Sequence, residues 1–178
     1  LAIVDANGNW VQMMNTLQSG GIPGQVVDGV PMVGSHATTG NLSSAIDTWL
    51  APSAKMRSVI GNTIVLKDGK PAFSLGSPGN VHCTVPQVLA NVIDRGMDFV
   101  DAVEAPRMLP LGEDYSLTIE TRLSPETLKA LTAMGIRLQS EVPYDFHMGS
   151  FQVAWREKSG KVGACADLRR CGYAAGID

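Results

Sequence analysis

The segment Gly76-Ser77-Pro78-Gly79-Asn80 is the one stretch whose residue types suggest chemistry without help from the rest of the chain. It lies between a predicted strand and a predicted helix. A glycine-rich turn in that position exposes backbone N–H groups at a helix N-terminus, which suits an anion or a developing oxyanion. The alternative is an ordinary tight connection. On the motif alone that alternative is favoured, because short Gly/Pro turns are common.

The other reactive residue types do not form a self-contained catalytic or metal site. Three histidines occur without a matching Ser or Cys motif, so no catalytic triad is predicted. The three cysteines lack the spacing of a zinc site. Cys165 and Cys171 could pair across a turn, but idle thiols are the preferred interpretation, which weakly favours a cytoplasmic over a periplasmic location. Neither a metal nor a cofactor is predicted.

Length and composition are those of an ordinary globular domain. The chain has 178 residues, 44% of them hydrophobic and 17% charged, which is enough for one domain with a core. A net charge of −3 gives no reason to expect nucleic acid or an anionic membrane as a partner. No apolar run reaches the ~18 residues of a spanning helix. The chain opens directly on the apolar residues 1–4 without a leader, so we expect a fragment of a larger protein.

Turn signals predict the strands that would position the glycine-rich segment. Apolar runs flank three short turn sequences, and each arrangement predicts a β-hairpin. The turn sequences are Asn7-Gly8, Asp68-Gly69 and Ser159-Gly160. Residues 19–57 are punctuated by Gly and Pro instead, and they are predicted to be a long loop.

Apolar spacing predicts three helices. They cover residues 84–95, residues 100–104 and a segment that begins after Ser124 as N-cap and ends at Gly135. Strands and helices mixed in this way predict an α+β fold in which helices cover an antiparallel sheet. One domain over residues 1–178 is expected.

Short motifs spread over nearly the whole chain occur in an order that one protein family shares. They are Ile3-Val4-Asp5 with Gly8-Asn9, Thr16-Leu17, Thr63-Ile64-Val65 with Lys67-Asp68-Gly69-Lys70, Gly76-Ser77-Pro78-Gly79, Gln87-Val88-Leu89, Asn91-Val92-Ile93-Asp94, Ala105-Pro106-Arg107, Leu123-Ser124-Pro125, Gly163-Ala164, Asp167-Leu168-Arg169-Arg170 and Ala174-Ala175-Gly176. Each is weak, but the ordered set is strong. The chain resembles the small, C-terminal subunit of the gamma-glutamyltranspeptidase family.

The resemblance implies the fold and much of the catalytic machinery. The fold is the αββα sandwich of N-terminal-nucleophile hydrolases, completed by a large subunit cut from the same precursor. In that family a threonine at the start of the small subunit attacks the amide, with its own α-amine as base. The resemblance places this threonine about three residues before Leu1. Thr16 matches the second threonine, which positions the nucleophile. Gly79 and Asn80 stand where two backbone N–H groups form the oxyanion hole.

The substrate-holding positions depart from the family's pattern. Ser58 matches the first of a Ser-Ser pair that holds the substrate carboxylate, but Val59 replaces the second. Gln18 replaces an asparagine, and the acidic stretch that holds the glutamyl amine has no counterpart in residues 28–50. An unpaired cation in a buried pocket is costly, so we expect a different acyl donor. Candidate residues of the replacing pocket are Ser35, His36, Thr38, Thr39 and Asn41.

Three functions stay open at this point. The leading one is an amidase or acylase that acts on a small amide other than a gamma-glutamyl compound. The second is a true gamma-glutamyl transferase or hydrolase acting on glutathione-like substrates. The third is a catalytically inactive homologue. A dimer of heterodimers is one assembly left open, and neither nucleic acid nor membrane is expected as a partner.

Overall fold

The computed structural model describes residues 1–15, 26–31, 61–110 and 116–176. The strands, in chain order, are β1 (Ala2–Val4), β2 (Trp10–Gln12), β3 (Val26–Val27), β4 (Val30–Pro31), β5 (Thr63–Lys67), β6 (Lys70–Gly76), β7 (Met108–Leu109), β8 (Ser116–Glu120), β9 (Arg137–Glu141), β10 (Gln152–Arg156) and β11 (Val162–Ala166). The helices are α1 (Val81–Ile93), α2 (Phe99–Glu104), α3 (Pro125–Ala133) and a single 3-10 turn, Phe146–Met148.

The chain divides into two units, Leu1–Met14 with Ile60–Asp178, and Asn15–Val59. In the second unit, the described residues form a small hairpin in which β3 pairs antiparallel with β4. Asp28 (φ 50°) and Gly29 (φ 78°) occupy the central turn positions. These are the positive φ angles that a type I′ hairpin turn requires. The remainder of the predicted long loop lies outside the described residues.

A four-stranded antiparallel sheet, in the order β11-β10-β6-β5, is the centre of the first unit. Helices α1 and α2 cover one face of it. Leu75 of β6, Val153 of β10, Val88 of α1 and Val103 of α2 belong to one buried cluster, and each is at most 2% exposed. Burial of each such side chain contributes roughly 1.5–3 kcal/mol.

The β1–β2 hairpin lies against the other face of this sheet, next to β6 and β10. Successive side chains of a strand point to opposite faces, so when Leu75 faces the helices, Gly76 faces the hairpin. The geometry agrees, because a Cβ atom on Gly76 would collide with the side-chain amide of Gln12 in β2. The hairpin therefore forms a second β layer, and the helices, the sheet and the hairpin are three layers of the expected sandwich.

A second, three-stranded sheet has the order β7-β8-β9, and its β8–β9 pair is parallel. Helix α3 connects these two strands, as a parallel pair requires a crossover. Ser124 caps α3 by accepting the N–H of Thr127 at 3.1 Å, and Pro125 occupies the first turn. The N-cap prediction is confirmed, whereas β8 and β9 were not predicted from the sequence.

The three predicted hairpins are confirmed as β1–β2, β5–β6 and β10–β11, all antiparallel. Helix α1 begins at Val81, three residues before the predicted start. Proline is best accommodated in the first turn of a helix, but Pro86 lies inside this one. The earlier start makes Asn80 the N-cap residue, so the glycine-rich segment leads straight into the helix. Gly96, with φ 66°, follows its end as predicted.

Gly163 provides a test of the packing around the central sheet. It lies on β11 directly opposite Trp155, and a Cβ atom there would collide with the indole. The indole stacks on Phe99 of α2 with ring centroids 4.7 Å apart. We expect Gly163→Ala to reduce the free energy of unfolding by about 1–3 kcal/mol, measured by thermal or chemical unfolding. Gly176→Ala, where a Cβ meets nothing within 4 Å, is the control, and equal losses in both variants would contradict the packing.

Candidate functional site

The glycine turn (residues 76–80) is the whole connection between β6 and α1. The carbonyl oxygen of Asn80 accepts the N–H groups of Cys83 and Thr84, both at 3.0 Å. The side chain of Asn80 does not cap the helix. Within residues 61–110 and the other described ranges, the N–H groups of Gly79 and Asn80 donate no hydrogen bond. Two backbone donors at the positive end of a helix are thus available to an acceptor.

Gly79 is required at its position for two reasons. Its φ angle is +81°, which L side chains rarely adopt. A Cβ atom would also lie 3.2 Å from the carbonyl oxygen of His147 and 3.3 Å from Nη2 of Arg170. The Asn80 side chain reaches the same carbonyl, because its Nδ2 donates to the His147 oxygen at 3.2 Å. The turn is therefore fitted closely against the neighbouring residues.

His147 belongs to the facing segment (residues 146–150), which holds the glycine turn by further hydrogen bonds. The hydroxyl of Ser77, fully buried, accepts the N–H of Ser150 at 2.8 Å and donates to the Pro78 carbonyl oxygen at 2.9 Å. A Cβ atom on Gly149 would collide with that hydroxyl. Any movement of the facing segment would consequently move the turn.

The facing segment is anchored by a buried ionic network. We use this name for two arginines and two acids, each at most 5% exposed: Arg107, Glu120, Asp167 and Arg169. Arg169 donates to Glu120 through Nε at 2.7 Å and Nη2 at 2.6 Å. Asp167 accepts from Arg107 Nη2 at 2.5 Å and from Arg169 Nη1 at 3.1 Å. Each buried charge thus has an opposite partner, which is the condition under which buried ions are tolerated.

Residues of the network also form hydrogen bonds with backbone atoms of the facing segment and of the residues just before and just after it. These hydrogen bonds are Arg107 Nη1 to the Met148 carbonyl at 2.8 Å, the Phe151 N–H to Asp167 Oδ2 at 3.1 Å, and the Asp145 N–H to Glu120 Oε1 at 2.9 Å. The network therefore determines where the facing segment lies, and through it where the glycine turn lies.

The ionisation of the network is set by burial and by its own contacts. Burial lowers the pKa of Arg107 to about 10, against the opposing charge of Asp167. Burial disfavours the charged form of Glu120, but hydrogen bonds from Arg169 and the Arg107 N–H outweigh it and lower the pKa of Glu120. Burial likewise opposes the charge of Arg169, yet its bonds to Glu120 raise its pKa. Glu120 is accordingly a carboxylate at neutral pH.

Two of the six predicted site residues are described. The structure places Gly79 and Asn80 side by side at the glycine turn. The remaining four lie outside the described residues: Thr16, Gln18, His36 and Ser58.

Sequence reasoning missed the network. Arg107 and the run 167–170 occur among the matching motifs, but nothing in their spacing signals that they meet. Glu120 lies in a strand that was not predicted.

Other kinds of site have no support in the described ranges. No group of three or more His, Cys, Asp or Glu there could hold a metal ion. No helix there is long and apolar enough to cross a membrane. The three cysteines are free, so the Cys165–Cys171 pairing left open above is not formed. Burial raises the pKa of Cys165 to about 11 and raises that of Cys83, so both thiols are protonated and unreactive at neutral pH.

The layer order and the glycine turn that leads into a helix are those of an N-terminal-nucleophile hydrolase, and a solved structure shows the same fold. A highly active mutant of the gamma-glutamyltranspeptidase from Pseudomonas nitroreducens superposes with a TM-score of 0.75 and 25% identity, covering 99% of this chain and 97% of that chain. The gamma-glutamyltranspeptidase family model matches residues 1–177. The chain belongs to the gamma-glutamyltranspeptidase family.

Two relatives that are named as different enzymes have about the same sequence identity to this chain. The glutathione hydrolase proenzyme of Escherichia coli (strain K12) is 31% identical over 187 residues, covering 94% of this chain and 30% of the relative. The acylase ACY 1 proenzyme of Pseudomonas sp. (strain SE83) is 30% identical over 143 residues, covering 76% of this chain and 24% of the relative. The chain thus spans less than a third of the length of these relatives.

Glu120→Gln tests the network through pH. The lowered pKa of Glu120 means that its charge stabilises the fold above about pH 4.3, and that this contribution is lost as pH falls through the lower pKa of the folded state. We expect the variant to be about 3–5 kcal/mol less stable at pH 7, with the difference narrowing below pH 4. The measurement is the thermal unfolding midpoint from pH 3 to 7.

The matched control is Glu126→Gln, which neutralises an exposed carboxylate in the first turn of α3. It should change stability by no more than about 1 kcal/mol. Parallel pH curves for wild type and the Glu120 variant would contradict the role of the network.

Proposed function

We propose that this chain is the small subunit of an N-terminal-nucleophile amide hydrolase, paired with a large subunit cut from the same precursor. A threonine about three residues before Leu1 would attack an amide carbonyl, with its α-amine as base, and form an acyl-enzyme. The observation that carries the proposal is the glycine turn at the start of a helix, where two N–H groups donate to none of the described residues. Family membership and the proenzyme names of both relatives support it.

The position of strand β1 supports the same chemistry. Ala2 pairs with Gln12, and the Met13 N–H donates to the Leu1 carbonyl oxygen at 2.9 Å. The Gln12 side chain in turn lies on the backbone of Gly76, where the glycine turn begins. The N-terminal end of β1 and the glycine turn are therefore neighbours. A nucleophile a few residues before β1 would therefore lie near the substrate carbonyl group whose oxygen the N–H groups of the turn bind.

In the proposed reaction the glycine turn stabilises negative charge. As the nucleophile adds, the carbonyl oxygen becomes an oxyanion, and the N–H groups of Gly79 and Asn80 donate to it. Such preorganised donors act on charge that develops only in the transition state, and the positive end of α1 adds to their effect. Collapse of the tetrahedral intermediate expels the amine, and water then attacks the acyl-enzyme. Thr16 is proposed, from the family's pattern, to position the nucleophile.

The proposed acyl donor is a small amide other than a gamma-glutamyl compound. Val59 and Gln18 replace two groups that hold the glutamyl end, and the acidic stretch is missing from residues 28–50. Ser58 and His36 are the proposed pocket residues. A true gamma-glutamyl hydrolase is the second candidate, and the similarity to the Escherichia coli glutathione hydrolase proenzyme favours it.

Asn80→Pro tests the oxyanion hole in the full-length, processed protein. The φ of Asn80 is −80°, close to the angle that proline requires, so the substitution removes the N–H with little backbone strain. We expect kcat to fall by about 10²–10³, the usual effect of losing one oxyanion donor. Asn80→Ala keeps the N–H and loses the same side-chain contact with His147, so it is the matched control. Equal kcat in the two variants would contradict the assignment.

Substrate class is tested by comparing turnover of gamma-glutamyl-p-nitroanilide with that of a panel of simple acyl p-nitroanilides. We expect kcat/KM to be at least about tenfold higher for a donor that lacks the α-amino group, because each unmatched buried charge costs more than 1.4 kcal/mol. Faster turnover of the glutamyl compound would select the second candidate. No turnover of any amide by processed protein would select the inactive homologue.

A further inference from the structure

Arg170 places a cation beside Gly79. Its Nη2 lies 3.3 Å from the position that a Cβ atom on Gly79 would take. The guanidinium thus occupies the space into which any side chain at residue 79 would project. A side chain at residue 79 would have to shift the arginine and would also need a φ that favours glycine.

The guanidinium is held in place by the facing segment. Both Nε and Nη2 of Arg170 donate to the Phe146 carbonyl oxygen, at 3.1 Å and 2.9 Å. Its Cζ also lies over the Phe146 ring, 3.7 Å from the ring centroid. Two hydrogen bonds and a stacked ring fix the plane of the guanidinium, so its distance from Gly79 is fixed too.

Arg170 has no ion-pair partner among the residues that the structure describes, unlike three other arginines. Arg107, Arg122 and Arg169 each form an ion pair. Burial lowers the pKa of Arg170 against the attraction of Asp167, but an arginine remains protonated at neutral pH. Partial burial also reduces the screening of its charge by water.

We propose that Arg170 supports the reaction by adding positive charge beside the oxyanion that Gly79 and Asn80 receive. The inference rests on the proposed function. Because the negative charge exists in the transition state and not in the bound amide, Arg170 acts on kcat and leaves KM nearly unchanged. Because a smaller folded fraction would also lower the apparent kcat at constant KM, kcat is referred to the active enzyme counted from the acyl-enzyme burst.

The test compares Arg170→Met, which removes the charge, with Arg170→Lys, which keeps it. The full-length protein is processed, and steady-state kinetics are measured with the best amide of the panel. We expect kcat to fall about 10- to 100-fold in Arg170→Met, with KM changed less than about threefold, and most of the loss to be recovered in Arg170→Lys. Arg95→Met is the control, because Arg95 bonds Asn91 near the C-terminal end of α1, away from the turn.

Each outcome decides the assignment. Wild-type kcat in Arg170→Met, or a loss that Arg170→Lys does not recover, would overturn it while leaving the proposed function standing. A processed wild-type protein without turnover would overturn both. If Arg170→Met does not fold, Arg170→Gln, which keeps hydrogen-bond donors without the charge, takes its place under the same criteria.

Discussion

Mutual neutralisation of four buried charges is the constraint on which the rest of the first unit depends. Arg107, Glu120, Asp167 and Arg169 come from three regions of the chain, and loss of any one would leave the group of four with a net buried charge, at a cost of about 3–5 kcal/mol. The chain after α2, the end of β8 and the chain after β11 must therefore meet at one place. No apolar contact defines their relative positions as strictly, because apolar packing is not directional.

The chemistry of the glycine turn follows from that constraint. The network bonds the backbone around the facing segment, and the facing segment bonds Ser77 and Asn80 of the turn. Backbone donors stabilise an oxyanion only if they are held still before the charge appears. The four buried charges are distant in sequence from the glycine turn, yet they hold the N–H groups of Gly79 and Asn80 in place. Stability and proposed catalysis thus share the same residues.

Local signals in the sequence were sufficient for the three hairpins and for helices α1, α2 and α3. Asn7-Gly8, Asp68-Gly69 and Ser159-Gly160 need only their own turn chemistry to form hairpins, and all three form. The parallel β8–β9 pair was missed because its pairing depends on a crossover, and residues 116–120 carry no turn signal. The network was missed because residues 49 positions apart, such as Glu120 and Arg169, meet only through the fold. Gly79 was named through the resemblance to the family, since its motif alone favoured an ordinary connection, and the neighbouring Arg170 was not predicted.

Self-processing of the full-length precursor tests the central claim most directly. Intact mass and N-terminal sequencing of the two purified chains would identify the residue created by cleavage. If the protein is an N-terminal-nucleophile hydrolase, we expect a small chain that begins with threonine about three residues before Leu1. We also expect this chain to gain the mass of one acyl group when a slow amide substrate is trapped on it. An uncleaved precursor, or a mature chain that begins at Leu1, would contradict the account.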